Sequence, residues 1–309
     1  MSQPYQLSLT EAVNEIAARR LSSLELVQSL HERIEQTEPR LQAWATLLIE
    51  ESLALATQSD QKSSNRGALE GVPYGAKDIF DTSGVVTAAG SRIFANRIPD
   101  EDASCIRIAK QEGAILLGKT HTTEFADGDP APSFNPWNLD HTPGGSSTGS
   151  GVAVAARMVP WAFGTQTVGS VLRPAAYNGI IGFKPTFGRI SRIGVIPMAN
   201  SFDHVGFLAR TVDDMALLLK TFAGYDSNDP YSHNVPVDDY VEGLTKFHQS
   251  PKIGLIRGWF FEEADAATRL MLEETAQKFA KAGAFIEEVD LGVDLPAAYA
   301  AHRIMQESE

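Results

Sequence analysis

The sequence has a single cysteine, Cys105, so no intrachain disulfide can form, and its seven histidines show neither HExxH nor paired CxxC spacing. A structural zinc and a catalytic metal are therefore both without support, and no cofactor is expected. Basic residues are also scarce: 26 Lys and Arg against 39 Asp and Glu leave a net charge of −13 with no offsetting basic cluster. A surface of that sign repels phosphates, which argues against nucleic acid or an anionic membrane as partner. No apolar run approaches the roughly eighteen residues of a membrane span. The start, "MSQPYQLSLTEAVNEIAARR", lacks the cationic-then-apolar order of a signal peptide. A cytoplasmic protein is expected. Cys105, inside "DASCIRIAKQEGA", reads as a core thiol within a helix.

What is present begins with 43% hydrophobic side chains in 309 residues, enough for a substantial core in one large domain or two. Ser8 with Glu11 and Ser22 with Glu25 form capping boxes that predict two helices. Leu24, Val27, Leu30 and Ile34 keep a helical stripe in the second, which is expected to stop near Pro39, and a third helix is expected over Trp44–Thr57. "SDQKSSNRG" (59–67) has linker composition and marks a boundary between a helical amino-terminal arm, 1–66, and a main domain, 67–309. Beyond it, "GVPYGAKDIF" reads as a strand, "DASCIRIAKQEGA" as a helix and "AILLGKT" as a buried strand ending at Gly118. Such alternation predicts an α/β architecture with functional residues at strand ends. "KIGLIRG" (252–258), a helix over about 264–282 and "AFIEEVDLG" (284–292) make a strand-helix-strand unit. The final "DLPAAYAAHRIMQESE" reads as a helix with no C-cap glycine, as if the chain stopped early.

Two stretches are unusually rich in glycine and hydroxyls: "GGSSTGSG" (144–151) and "GTQTVGSVLRPAA" (164–176). A Walker-type phosphate loop needs GxxxxGK[ST], and the first stretch has no lysine; GxGxxG spacing is met only loosely and without a preceding apolar strand. A flexible linker is disfavoured by "GVAVAARMVPWAFGTQ", whose small apolar residues predict a buried helix immediately afterwards. A serine hydrolase remains, and it needs a base. His121, His141 and His204 lie in loops without an orienting acid nearby in sequence, and the GxSxG elbow is absent. A lysine held neutral by burial can replace histidine, and Lys77, at the end of an apolar strand, is the leading candidate. Taken singly, these residues have commoner roles. Ser146, Ser147, Thr148 and Ser150 would cap and turn the backbone, Lys77 would sit at a strand end on the surface, and Asp78 would accept structural hydrogen bonds.

Together and in order, "GVPYGAKD", "GGSSTGSGVAVAA" and "GTQTVGSVLRPAAYNGIIGFKPTFGRIS" resemble the amidase signature family, over roughly residues 8–225. "AGSRIF" (89–94), "GAILLGKTHTTEFA" (113–126) and "NPWNLDHTPGG" (135–145) extend the likeness. The resemblance implies an α/β fold with a mixed central sheet surrounded by helices, and cofactor-free hydrolysis of a small-molecule amide. A homodimer is an assembly it allows. It implies a serine–cis-serine–lysine triad with Ser170 as nucleophile, Ser146 as bridge and Lys77 as base. The backbone N–H groups of Thr167, Val168, Gly169 and Ser170 would form the oxyanion hole, and Thr165 and Arg173 would either hold a substrate carboxylate or serve packing and ion pairing. Ser147 would support Ser146. Phe134 and Trp137 would line the pocket or pack their own loop.

Three departures from the family pattern fall near this site. Val168 stands where glycine or alanine is usual, and a positive φ there would strain a β-branched residue and distort the hole. Gln166 replaces an aspartate. Arg173 follows the nucleophile by three residues, whereas the tRNA-amidating subunits place it two after, which counts against an amidotransferase role. Family members also run longer, so a core incomplete at its carboxyl end, with an unpaired sheet edge, is expected. Two alternatives to a free amidase stand beside it: the glutaminase-like component of a tRNA-dependent amidotransferase, and a catalytically silent truncated module.

Overall fold

Both capping boxes close in the computed structural model, which describes residues 3–63, 67–128, 130–246 and 249–309. Ser8 and Ser22 accept from the amides of Glu11 and Glu25, and each glutamate carboxylate accepts from its serine amide at 2.8 Å. These caps start α1 (Leu9–Ala17) and α2 (Ser23–Leu41). The second helix runs through Pro39 instead of stopping there. It ends at Gln42, whose left-handed backbone (φ 50°) turns the chain while the Glu38 carboxylate accepts from the amides of Ala43 and Trp44.

The helix expected over Trp44–Thr57 is two elements, β1 (Trp44–Leu47) and α3 (Ile49–Gln61). Pairing with β3 (Ile115–Thr120) claims the first four residues for the sheet, and tertiary hydrogen bonding overrides their helical periodicity. Ser59–Gln61 of the expected linker continue α3, and its residues 64–66 lie outside the described residues. β3 itself passes Gly118, because Lys119 and Thr120 pair with Ala76 and Lys77 of β2 (Pro73–Lys77).

Between these strands runs α4 (Ser104–Gln111), which holds Cys105 fully buried, its thiol pushed up to about 12 by desolvation. The chain continues through α5 (Thr148–Ala155), β4 (Trp161–Gln166), α6 (Leu172–Asn178), β5 (Ile181–Phe183), β6 (His204–Ala209) and α7 (Val212–Phe222). The strand order is β1-β3-β2-β4-β6-β5. β2 lies parallel to β3 and β4, and β1, β6 and β5 run antiparallel to their neighbours, which makes a mixed sheet with helices around it.

Period-two alternation sorts large from small side chains across this sheet. Tyr74 of β2 stacks on Trp161 of β4 at 4.8 Å, and Phe163, Phe207 and Phe222 of α7 close the same aromatic cluster. The opposite face of β2 and β4 carries the small residues Gly75, Ala162 and Gly164, with Lys77 at the end of β2. A Cβ at Gly164 would lie 2.8 Å from Ser147 Oγ, so the absent side chain is what lets the glycine-hydroxyl loop ahead of α5 approach the strand.

The chain divides into two compact units, Met1–Leu244 and Thr245–Glu309, and residues of the expected amino-terminal arm belong to the first together with the sheet. A further helix, α8, covers Tyr240–Lys246. The second unit holds β7 (Lys252–Ile256), α9 (Trp259–Glu263), α10 (Ala266–Lys281), β8 (Phe285–Val289) and α11 (Leu295–Ser308). β7 and β8 pair in parallel with α10 in their connection, as the strand-helix-strand reading requires. None of the described residues in this unit is buried. Among the described residues, no helix is long and apolar enough to cross a membrane.

Candidate active site

Lys77 is the last residue of β2 and is completely buried. Its amine donates to Ser146 Oγ and to Thr165 Oγ1, both at 2.7 Å. Burial removes the water that would solvate an ammonium, and desolvation pulls the Lys77 pKa down to about 7, against a smaller upward pull from Asp203. A lysine so placed is neutral in a large fraction of molecules near neutral pH. Beside a hydroxyl it can accept a proton.

Ser146 reaches that amine from the loop ahead of α5. Gly144 there has φ 74°, and the Gly145–Ser146 peptide is cis. The loop is tied on three sides. Asn178, at the end of α6, donates to the Pro143 carbonyl at 2.8 Å; Arg173 Nε donates to the Gly145 carbonyl at 3.1 Å; Ser147 Oγ donates to the Thr165 carbonyl and accepts from the Thr165 amide, both at 3.2 Å. Ser150, fully buried, donates to the Phe163 carbonyl and meets Thr120 Oγ1 at 2.7 Å, which is the structural role open to it from the sequence.

Ser170 sits in the loop between β4 and α6. Its carbonyl accepts from the Ser147 amide at 3.2 Å, so its backbone lies against the residue that follows Ser146. Its side chain is buried and makes no hydrogen bond among the described residues. The structure thus joins Lys77, Ser146 and Thr165 side chain to side chain, and it brings Ser170 alongside through the backbone without a bond between the two serine hydroxyls.

Gln166 holds the loop in shape. Its Oε1 accepts from the amides of Val171 and Leu172 at 2.9 Å each, and its Nε2 donates to the Val168 carbonyl at 3.1 Å. An aspartate is one methylene shorter and has no donor for that carbonyl. Val168 is not among the residues with positive φ and its side chain is exposed, so the β-branched residue brings no left-handed strain to the loop. Thr167 Oγ1 donates to Asp203 Oδ1 at 2.5 Å.

Thr165 is occupied by the Lys77 amine, while Arg173 is exposed apart from its bond to Gly145. Asp78 accepts from the Ala88 amide at 3.0 Å and lies 3.5 Å from Lys119, a second buried lysine, lowered to about 8 by desolvation. Trp137 donates to the Asn178 carbonyl at 2.7 Å, which fixes its loop to α6, and Phe134 donates its amide to the Leu41 carbonyl. His204 meets Lys184 at 3.2 Å, and among the described residues neither it nor His121 nor His141 bonds a candidate serine. Gln166, Asn178, Lys119 and Asp203 are not singled out by sequence reasoning as holding the site. The only signal for the first was its departure from the usual aspartate. Among the described residues, no three His, Cys, Asp or Glu side chains gather as a metal site. A cavity of about 160 Å³ opens beside Thr165, with Ile79, Val195, Met198, Arg192 and Asp203 in its walls.

Known proteins resemble this chain over most of its length. The A-type subunit of the glutamyl-tRNA(Gln) amidotransferase of Geobacter sp. (strain M21) is 41% identical over 295 residues, covering 93% of this chain and 61% of the relative. The native peptide amidase from Stenotrophomonas maltophilia superposes with a TM-score of 0.86 at 32% identity, covering 98% of this chain and 66% of that one. A chain from a vestigial protein complex bearing on the evolutionary origins of an s-triazine catabolic enzyme gives 0.92 at 32% identity, covering 98% and 67%. The chain therefore spans about three-fifths of the length of the amidotransferase subunits it matches. The Amidase family model matches residues 25–304, and the chain belongs to that family.

Proposed function

We propose that the chain carries the site of an amide C–N hydrolase in which Ser170 is the nucleophile, Ser146 the bridging hydroxyl and Lys77 the base. The observation that supports it is the buried Lys77 amine, 2.7 Å from Ser146 Oγ and titrating at about 7. In this reading neutral Lys77 draws a proton from Ser146 as Ser146 takes one from Ser170, whose oxygen attacks the amide carbon. Ser146 then hands a proton to the leaving nitrogen and the C–N bond breaks, leaving an ester on Ser170 and a free amine or ammonia. Water repeats the sequence and releases a carboxylic acid. The Ser170 hydroxyl has no bond among the described residues to hold it away from Ser146. Backbone N–H groups of residues 167–170 would receive the oxyanion, and such donors typically lower a barrier by ~3 kcal/mol each. Arg173, exposed apart from its Nε bond to the Gly145 carbonyl, is the one of the two candidates available to meet a substrate carboxylate. A cytoplasmic setting and a small-molecule amide go with this reading, and a homodimer is compatible with it.

Labelling with a fluorophosphonate tests it directly. Modification of Ser170 that disappears in Ser170→Ala is the expected result. A folded chain that never labels would instead favour a silent module. The second reading, the glutaminase-like component of a tRNA-dependent amidotransferase, is favoured by the names of the relatives that match over most of the chain. It predicts that the chain copurifies with further subunits and that its activity rises in their presence; a free amidase does not.

A further inference from the structure

Asp203 lies in "ANSFDHVG", a stretch that no motif marks, yet four hydrogen bonds converge on it. Its Oδ1 accepts from Thr167 Oγ1 at 2.5 Å, and its Oδ2 accepts from the amides of Met198 and Ala199 at 2.8 and 3.1 Å. Its backbone carbonyl accepts from Arg192 Nη1 at 3.1 Å. The position follows from the sheet. β6 pairs His204 with Gln166, so the residue ahead of β6 stands opposite the residue that follows β4, which is Thr167. Asp203 also shares the wall of the cavity with Thr165, the hydroxyl that receives the Lys77 amine.

We propose, resting on the hydrolase reading above, that Asp203 is the positioning residue of the site: its carboxylate anchors Thr167 and hence the oxyanion loop, and places one negative charge near the Lys77 amine. The anchor is strong for a physical reason. A carboxylate that accepts three bonds holds all three donors, and bonds to a charged acceptor are stronger than those between neutral groups. The charge acts on Lys77 because, among the described residues, the neighbouring carboxylates are each paired with a cation, whereas the donors to the Asp203 carboxylate are neutral. Asp78, next in the chain, is turned to Lys119 on β3 and to the Ala88 amide, and Asp81 is held by Arg97. His204 and Lys184 face each other, both lowered by desolvation, and Arg192 faces Asp229 and the Asp203 carbonyl. Among the described residues, Asp203 is the charged group that favours the protonated amine of Lys77.

Anchor and charge separate in two variants. Asp203→Asn keeps the shape and removes the charge: its Oδ1 can accept from the Met198 and Ala199 amides while its Nδ2 donates to the Thr167 hydroxyl. Thr167→Val removes the anchored hydroxyl and leaves the charge. Lysine Cε resonances followed by carbon-13 NMR across pH, with Lys77 assigned through Lys77→Met, report the amine. Hydrogen exchange of amides 167–170 reports the loop. Asp203→Asn is expected to move the Lys77 midpoint acidward by about one pH unit, the low end of what a nearby opposite charge supplies. Thr167→Val is expected to speed exchange while leaving the Lys77 midpoint in place. An unmoved midpoint in Asp203→Asn, or unchanged exchange in Thr167→Val, overturns the proposal, and the second result decides even if Asp203→Asn does not fold. Neither readout requires turnover. Failure of Ser170 to label would thus sink the hydrolase reading separately.

Discussion

Replacing Lys77 by methionine isolates the energetic signature of a buried base. The fall of its pKa from 10.5 to about 7 corresponds to about 5 kcal/mol of disfavour toward the ammonium inside the fold. A lysine whose folded value is depressed carries that cost in full below the folded value. The cost fades as pH climbs toward the ordinary value, because in that window the unfolded chain binds the extra proton. Between about pH 6 and about pH 9 the wild-type chain should therefore gain about 2–3 kcal/mol relative to Lys77→Met. The variant also loses the bonds to Ser146 and Thr165, which leaves two buried hydroxyls short of a partner. That loss offsets the difference by an amount that does not vary with pH, so the slope is the diagnostic quantity and the intercept is not. Lys119 and the carboxylates of the site are common to both chains and drop out of the comparison. Urea unfolding of both proteins at three pH values, followed by circular dichroism, measures the slope. A stability difference that stays flat from pH 6 to pH 9 would mean that Lys77 keeps an ordinary lysine pKa, and the proposed relay would lose its base.

Other substitutions probe the remaining parts. Lys77→Arg should label at Ser170 at least about a hundredfold more slowly than wild type throughout this range, because a guanidinium does not deprotonate; labelling close to wild type would remove lysine as base. In the wild type, labelling should rise with pH through about 7 as Lys77 loses its proton, and a rate that falls over that interval contradicts the assignment. Gln166→Ala withdraws the acceptor for two loop amides and the donor to Val168, and should destabilise the chain by about 2–3 kcal/mol in chemical unfolding. Arg173→Ala should raise KM for carboxylate-bearing amides about tenfold more than for neutral ones. An equal rise across both would reduce Arg173 to its hold on the Gly145 carbonyl.

The sequence made some of this arrangement legible because the signals were local. Ser8–Glu11 and Ser22–Glu25 are closed by residues three apart, and nothing distant can substitute for them, so the capping boxes form as read. Trp44–Leu47 is the opposite case. Its periodicity is helical, but its fate is set by β3 some seventy positions away, and a partner at that separation leaves no trace in the segment itself. The same distinction runs through the site. Lys77, Ser146 and Ser170 stand in strings whose order is distinctive, and the structure sets the first two 2.7 Å apart. The residues that hold those strings in place are ordinary by type. Asp203 becomes significant only because β6 pairs antiparallel with β4 and carries it to Thr167, and Asn178 only because the end of α6 meets Pro143. Reactive groups need a particular chemistry and so repeat a recognisable residue in a recognisable string. Supporting groups need only a donor or acceptor in the right place, which many residues at many positions supply. The buried Lys77 amine needs both: a strand to bury it, and a ring of such unremarkable partners to hold the Ser146 and Thr165 hydroxyls 2.7 Å from it.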